Sequence, residues 1–284
     1  MYKYILIFLI STSVSCQTDF GKLTIESSLH NDLVEVSGIE YIDNTKLIWM
    51  VEDSGNEAKI FGYNPKTKNT KTIITVTNAE NNDWEDLASD KEGNLYIGDF
   101  GNNSNKRKHL TIYKISNGDL FDKKEVKATK IEFKLEDQEK FPPKKKNRNF
   151  DIESFFVLNN NFYLVSRNRS SKFDGTAKLY KLSMNGKEDK ANVVSSFKTC
   201  EDKTDCQITS ATINHTTGEI VLLSYDKIWV LTDYKQDNIF EGSVKEINLD
   251  HFSQKESITF LNSKLYIVDE KIGIGGSNVY FLEL

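Results

Sequence analysis

Several residue types are scarce in this chain, and each scarcity closes off a class of protein. Proline occurs 3 times in 284 residues, so no Pro-rich linker divides the chain. The four histidines, His30, His109, His215 and His251, stand apart and lack the spacing of a zinc site. No apolar run reaches the roughly 20 residues of a membrane-spanning helix. Basic residues do not predominate: 37 Lys and Arg stand against 42 Asp and Glu, a net charge of −5, which excludes the electrostatic footprint of a nucleic-acid binder. Gly273-Ile-Gly275-Gly276 is followed by no helix and is not a phosphate-cradling loop. Ser54 and Ser210 have no histidine at a telling distance, so acyl transfer has no nucleophile pattern.

What is present is a repeat. Trp84–Asn103 sets its plan: a carboxylate (Glu85) at the head of a short strand, a turn at Lys91–Asn94, an apolar strand Leu95–Ile97, and Asp99 before a Gly/Asn loop. The plan recurs from Glu40 to Asp53, from Glu153 to Arg167, from Thr209 through Leu223, and from Glu256 to Asp269, with starts at 40, 85, 153, 209 and 256. A strand-rich period of roughly 40–50 residues is the mark of a propeller blade. Four strands can be read in each of the first four units, and three in the fifth, ending at Asn278–Leu284. Lys22–Leu29 alternates polar and apolar residues as a half-buried strand does, and no unit precedes it. An all-β propeller of five four-stranded blades follows, closed by the N-terminal strand so that no sheet edge is exposed. A sixth blade inside the 68-residue interval between 85 and 153 is the alternative.

Residues 1–16 stand outside that plan, leaving 17–284 as a single propeller domain. Lys3, the apolar Ile5–Ile10 and the small residues Ser13-Val14-Ser15 before Cys16 form an export signal. A signal ending at cysteine resembles that of bacterial lipoproteins, which implies that Cys16 carries lipid and anchors the chain in the cell envelope, at the outer membrane or in the periplasm. Ordinary cleavage is the alternative. In such an oxidising compartment Cys200 and Cys206 are expected to form a disulfide.

In a four-stranded meander the first strand starts, and the second ends, at one face of the disc. Glu40, Glu85, Glu153, Thr209 and Glu256 are therefore expected at one mouth of the central channel, with Asp53, Asp99, Arg167 and Asp269. Carboxylates so gathered need protons or a cation, and calcium suits an oxygen set of loose geometry. The plainer alternative is a water-filled tunnel lined by acids.

These residues resemble the calcium-activated nucleotidases, or apyrases, five-bladed propellers whose axial positions run acid, acid, acid, hydroxyl, acid. Glu40, Glu85, Glu153, Thr209 (or Ser210) and Glu256 follow that order. The resemblance implies one axial calcium held by these five residues and hydrolysis of nucleotide phosphates.

Cationic loops rise from the same expected face: Lys106-Arg107-Lys108, Lys140 with Lys144–Arg148, and Arg167, Arg169 and Lys172. A basic rim around a cation suits a small anionic molecule. Two functions follow. In a hydrolase of phosphoanhydrides or phosphoesters, Asp53 or Asp99 would position water, Arg167 would stabilise developing charge, and Lys106, Arg107, Arg169 and Asp269 would line the ligand. In a non-catalytic scaffold the loops would grip a glycan, peptide or envelope protein. Either is expected to be a monomer that meets the membrane through its lipid alone.

Overall fold

A computed structural model of the chain describes residues 19–29, 33, 35–186, 189–270 and 277–284; the signal segment with Cys16 and the Gly273–Gly276 cluster lie outside them. The described residues are strands and turns with three short 3-10 turns, and none of their helices could cross a membrane.

The strands follow the repeat. After β1 (Thr24–Ser28) come β2 (Val36–Ile42), β3 (Leu47–Glu52), β4 (Lys59–Asn64) and β5 (Asn69–Val76), an antiparallel meander. Next are β6 (Trp84–Ser89), β7 (Leu95–Asp99), β8 (Leu110–Ile115), the two-residue β9 (Glu125–Val126) and β10 (Thr129–Leu135). The third unit is β11 (Asp151–Leu158), β12 (Asn161–Arg167), β13 (Thr176–Ser183) and β14 (Lys190–Lys198). The fourth is β15 (Ser210–Ile213), β16 (Ile220–Leu223), β17 (Lys227–Thr232) and β18 (Ser243–Asn248). Last come β19 (Lys255–Leu261), β20 (Lys264–Asp269) and β21 (Asn278–Glu283).

Two details concern closure. β1 pairs antiparallel with β21, so the N-terminal strand completes the C-terminal sheet. The long interval before β11 adds no meander: β9 pairs parallel with β5, and β10 pairs parallel with β14, which joins two meanders edge to edge in one 8-stranded sheet.

The first strands pack face to face in the order β2, β6, β11, β15, β19 and back to β2. They are buried along most of their length, polar residues included, because each is covered on both sides. Between neighbouring sheets lie separate hydrophobic layers. Trp49, Trp84 and Ile97 meet in one, Phe155, Phe162 and Tyr96 in another, and Leu222, Trp229 and Val165 in a third. Burial of such aromatic and branched side chains, at about 1.5–3 kcal/mol each, is the main stabilising term.

Where the inner strands meet, side chains must be small or mutually bonded. Gly38 illustrates the first case: a Cβ there would lie 2.9 Å from the Cα of Asp86 and 2.9 Å from the Leu87 nitrogen. Asp86 illustrates the second. Fully buried, it accepts the Leu87 N–H at 2.9 Å, the Phe155 and Ala211 N–H groups at 3.4 Å, and the hydroxyls of Ser210 at 3.2 Å and Ser257 at 3.4 Å. One carboxyl thus ties four of the inner strands. Burial holds its pKa well above the ordinary carboxylate range.

The disulfide Cys200–Cys206 is present, closing the loop before β15.

Candidate functional site

A bulge opens four of the inner strands. Pairing skips one residue between Val36 and Gly38, Trp84 and Asp86, Ile152 and Ser154, and Lys255 and Ser257. The skipped residues are Ser37, Glu85, Glu153 and Glu256, and Thr209 holds the matching place just before β15. Bulges re-aim a side chain out of the sheet pattern. Here Ser37, Glu85, Glu153 and Glu256 line a cavity of about 220 Å³, together with Asp53, Arg167, Arg169, Tyr225, Gln254 and Glu270.

That register corrects the expected set in three ways. Glu40 is not at this mouth: Ser37 holds its place, and Glu40, three residues deeper, lines a separate cavity at the other end of the channel. There it accepts the Ser89 hydroxyl at 2.5 Å and the Thr259 hydroxyl at 2.9 Å. Thr209 donates its hydroxyl to the Lys255 carbonyl at 2.7 Å and does not line the cavity. The second-strand ends divide between two faces. Asp99 pairs with Trp84 and Asp269 with Lys255, whereas Arg167 pairs with Asp151, one position further along. Since side chains alternate with period 2, one residue turns a side chain to the other face.

Asp99 and Asp269 are consequently structural. Asp99 takes Arg107 at 2.8 Å and the Asn82 amide at 3.0 Å. Asp269 takes the Asn278 N–H at 2.7 Å and the Tyr280 hydroxyl at 2.8 Å. Arg107 is spent on Asp99 and the Gly101 carbonyl, and Lys106 is exposed beside it. Of the expected set, Asp53, Glu85, Glu153, Arg167, Arg169 and Glu256 do come together.

Two acids complete the mouth that the repeat did not single out. Asp83 and Asp151 stand two residues before Glu85 and Glu153. Carboxylate oxygens of Asp53, Asp83 and Glu85 lie within 4.8 Å of one another, and so do those of Glu85, Asp151 and Glu153. Gly101 lets them approach, for a Cβ there would sit 2.1 Å from Glu85 Oε1 and 2.4 Å from Asp83 Oδ2.

The two halves differ in their counter-charges. Arg169 bonds Asp151 at 2.6 Å and Glu153 at 2.7 Å, and Arg167 bonds Glu153 at 3.0 Å. Burial works to raise the Glu153 pKa, and the two guanidiniums outweigh it, so the group is lowered. No guanidinium bonds Asp53, Asp83 or Glu85 among the described ion pairs. Burial raises Glu85 well above the ordinary range, with Glu153 and Asp53 adding to it. Burial and then Asp53 push Asp83 to about 6, and burial raises Asp53. This half of the mouth therefore calls for a proton or a cation, and an oxygen-only donor set fits a hard one.

Across the cavity, the Tyr225 hydroxyl donates to Glu256 at 3.1 Å and accepts from Arg167 at 2.8 Å. Burial pushes Glu256 to about 7, with Arg167 opposing. A carboxyl titrating near 7 beside a polar cavity is suited to take and return a proton.

No family model matches this chain, and no curated protein matches it. Among solved structures it is similar to a luciferin-regenerating enzyme at 11% identity, covering 92% of this chain and 95% of that one with a TM-score of 0.51. It is also similar to a glucose dehydrogenase at 8% identity, covering 91% and 99% with a TM-score of 0.49. At such identity the first likeness speaks for the fold alone, and together with the sheets it makes this an all-β protein of propeller type.

Proposed function

We propose that the chain is an exported, Cys16-lipidated propeller of five blades that holds calcium at its acidic mouth and hydrolyses a small phosphate-bearing anion there. The ring of first strands closing from β19 onto β2 supports five blades, and so does the absence, among the described residues, of a further meander before β11. The observation that carries the site is the trio Asp53, Asp83 and Glu85, whose oxygens gather within 4.8 Å with no guanidinium among them.

These three residues would hold the cation, which when bound supplies charge for a phosphate oxygen. Glu256, near 7, takes the proton of an incoming water, with Tyr225 and Arg167 fixing the direction of its carboxyl. Arg167 faces the cavity and opposes the charge that develops on the substrate.

A non-catalytic scaffold is the second reading, favoured by one feature. Arg167 and Arg169 are already engaged by Glu153, Glu256 and Asp151, so the mouth is braced without a ligand.

Calcium titration of the detergent-solubilised chain decides between them, following melting temperature and then hydrolysis of nucleotide and phosphoester substrates in the same samples. The hydrolase reading expects a calcium-dependent rise in melting temperature with turnover, both lost in Glu85→Gln. A rise without turnover leaves the scaffold. No response to calcium removes the cation site.

A further inference from the structure

We propose that the acidic mouth is pressed toward an anionic lipid bilayer, held there by the tether on one side and a lysine ledge on the other. This rests on the lipidated reading of Cys16 above.

The described chain begins at Asp19, and its first residues are stitched to the segment that leads into β19. The Lys22 N–H donates to the Leu249 carbonyl at 2.8 Å, and the Lys22 ammonium pairs with Asp250 at 3.2 Å. Phe20 packs its ring on His251 at 5.5 Å and Tyr280 at 5.6 Å. That same segment continues into Gln254 and Glu256, which line the mouth. Three residues from Cys16 to Asp19 can span at most about 10 Å of extended chain. An acyl group on Cys16 therefore holds the blade carrying the mouth within a short reach of the bilayer, not the opposite end of the channel.

The same segment presents Phe252. It is 56% exposed, the most exposed of the large hydrophobic side chains described, and its ring stands edge-on to Tyr225 at 5.8 Å. Aromatic rings are favoured at the level of lipid headgroups.

The far rim of the mouth is basic. Lys144, Lys145 and Lys146, in the connection into β11, are exposed, and Lys172, in the β12–β13 loop, is exposed as well. The two loops form one ledge: the Ser171 N–H donates to the Lys145 carbonyl at 3.1 Å and the Ser170 hydroxyl to the Lys146 carbonyl at 2.7 Å. Lys203, from the disulfide loop, reaches the Ser170 carbonyl at 3.5 Å. Two neighbouring acids have partners of their own. Asp174 takes the Asn168 amide and the Thr176 N–H, and Asp205 takes Lys227. Clustered lysines next to a lipid anchor are drawn to anionic headgroups. A single acyl chain anchors only marginally, so a second contact is needed to hold one face steadily against the surface. With Phe252 and the tether on one rim and the ledge on the other, that face is the mouth, and its substrate is met at the bilayer surface.

The test uses the full lipid-bearing chain in phosphatidylcholine vesicles, with and without phosphatidylglycerol. A thiol-reactive fluorophore is placed by Phe252→Cys or, at the other end of the channel, by Asn262→Cys, and quenching by brominated lipid is read. Quenching about threefold stronger at position 252 than at 262 is expected, increased by phosphatidylglycerol, with that increase lost when Lys144, Lys145 and Lys146 are changed to Glu. Equal quenching, stronger quenching at 262, an increase insensitive to the lysine changes, or a mass showing no lipid on Cys16 overturns the proposal. Turnover is assayed separately in detergent, so a lack of hydrolysis leaves the quenching result intact and tells against the hydrolase alone.

Discussion

Replacing Glu40 by Gln should stabilise the protein at pH 8 and do so much less at pH 5. Glu40 is buried, its oxygens occupied by the Ser89 and Thr259 hydroxyls. Burial, only partly offset by those hydroxyls, lifts its pKa from 4.5 to about 7. The folded state therefore holds this proton where the unfolded chain has released it. Stability then falls as pH rises from about 4.5 through 7, and the whole penalty is present above 7. A rise from 4.5 to about 7 corresponds to about 3 kcal/mol at pH 8. Glutamine has the shape and hydrogen-bonding pattern of the protonated acid, so the variant keeps the contacts and loses the penalty. Urea unfolding at pH 5 and pH 8, with chelator present, measures both proteins. Wild type should lose about 2.5 kcal/mol more than the variant between the two pH values, since about 1 kcal/mol or a little less of the penalty is already present at pH 5. Calcium should leave that difference intact, because Glu40 stands at the opposite end of the channel from the acidic trio. Parallel pH curves would refute the reasoning, and a difference erased by calcium would return Glu40 to the metal site.

Three further changes test the framework. Arg167→Ala should destabilise by about 3–5 kcal/mol in urea unfolding, because it takes one of the two guanidiniums from buried Glu153 and the one that Glu256 has among the described ion pairs; a loss below about 1 kcal/mol would mean that Arg169 and water suffice. Gly38→Ala should cost about 1–3 kcal/mol through overpacking against the Asp86 backbone, whereas Gly118→Ala, with nothing within 4 Å of the new methyl, should be tolerated. Asp86→Ala should cost at least about 2 kcal/mol, since three N–H groups and two hydroxyls lose an acceptor in the buried centre; an unchanged urea midpoint would show that the inner strands hold without it.

The repeat made the strands legible, because alternation and turn residues are local. It made the mouth only half legible. By sequence alone the first unit aligns on Glu40, the one glutamate in Val36–Glu40, although position by position Ser37-Gly38 matches Glu85-Asp86, Glu153-Ser154, Thr209-Ser210 and Glu256-Ser257. The residue after each bulge is small or hydroxyl-bearing except Asp86, and the next is apolar throughout: Ile39, Leu87, Phe155, Ala211 and Ile258. That shared pattern would have set the register. It also exposes a further signal two residues before each of the four bulges and Thr209, where Glu35, Asp83, Asp151, Gln207 and Gln254 are all acids or amides. Asp99 and Asp269 are hard to place from sequence for a related reason: acids at strand ends look equivalent until the bulge fixes which face they take. Counter-charges were less legible still, because Arg169 reaches Asp151 from 18 positions away and no local pattern announces it.

Glu85 and Asp86 show why fold and site are hard to separate here. They are consecutive residues, yet the bulge sends one into the mouth and the other into the axis below it. Asp86 ties β6 to β11, β15 and β19, and the same backbone turn that permits those bonds places Glu85 among Asp53, Asp83, Asp151 and Glu153. A change that relaxed the bulge would release both side chains together. The carboxylates of the mouth repel one another, and that repulsion is borne by a backbone whose register is held by a buried carboxyl one residue away. If calcium binds the mouth as proposed, it should accordingly stabilise more than the residues that hold it: by removing the repulsion it lets four of the strand starts settle on the axial bonds that Asp86 provides.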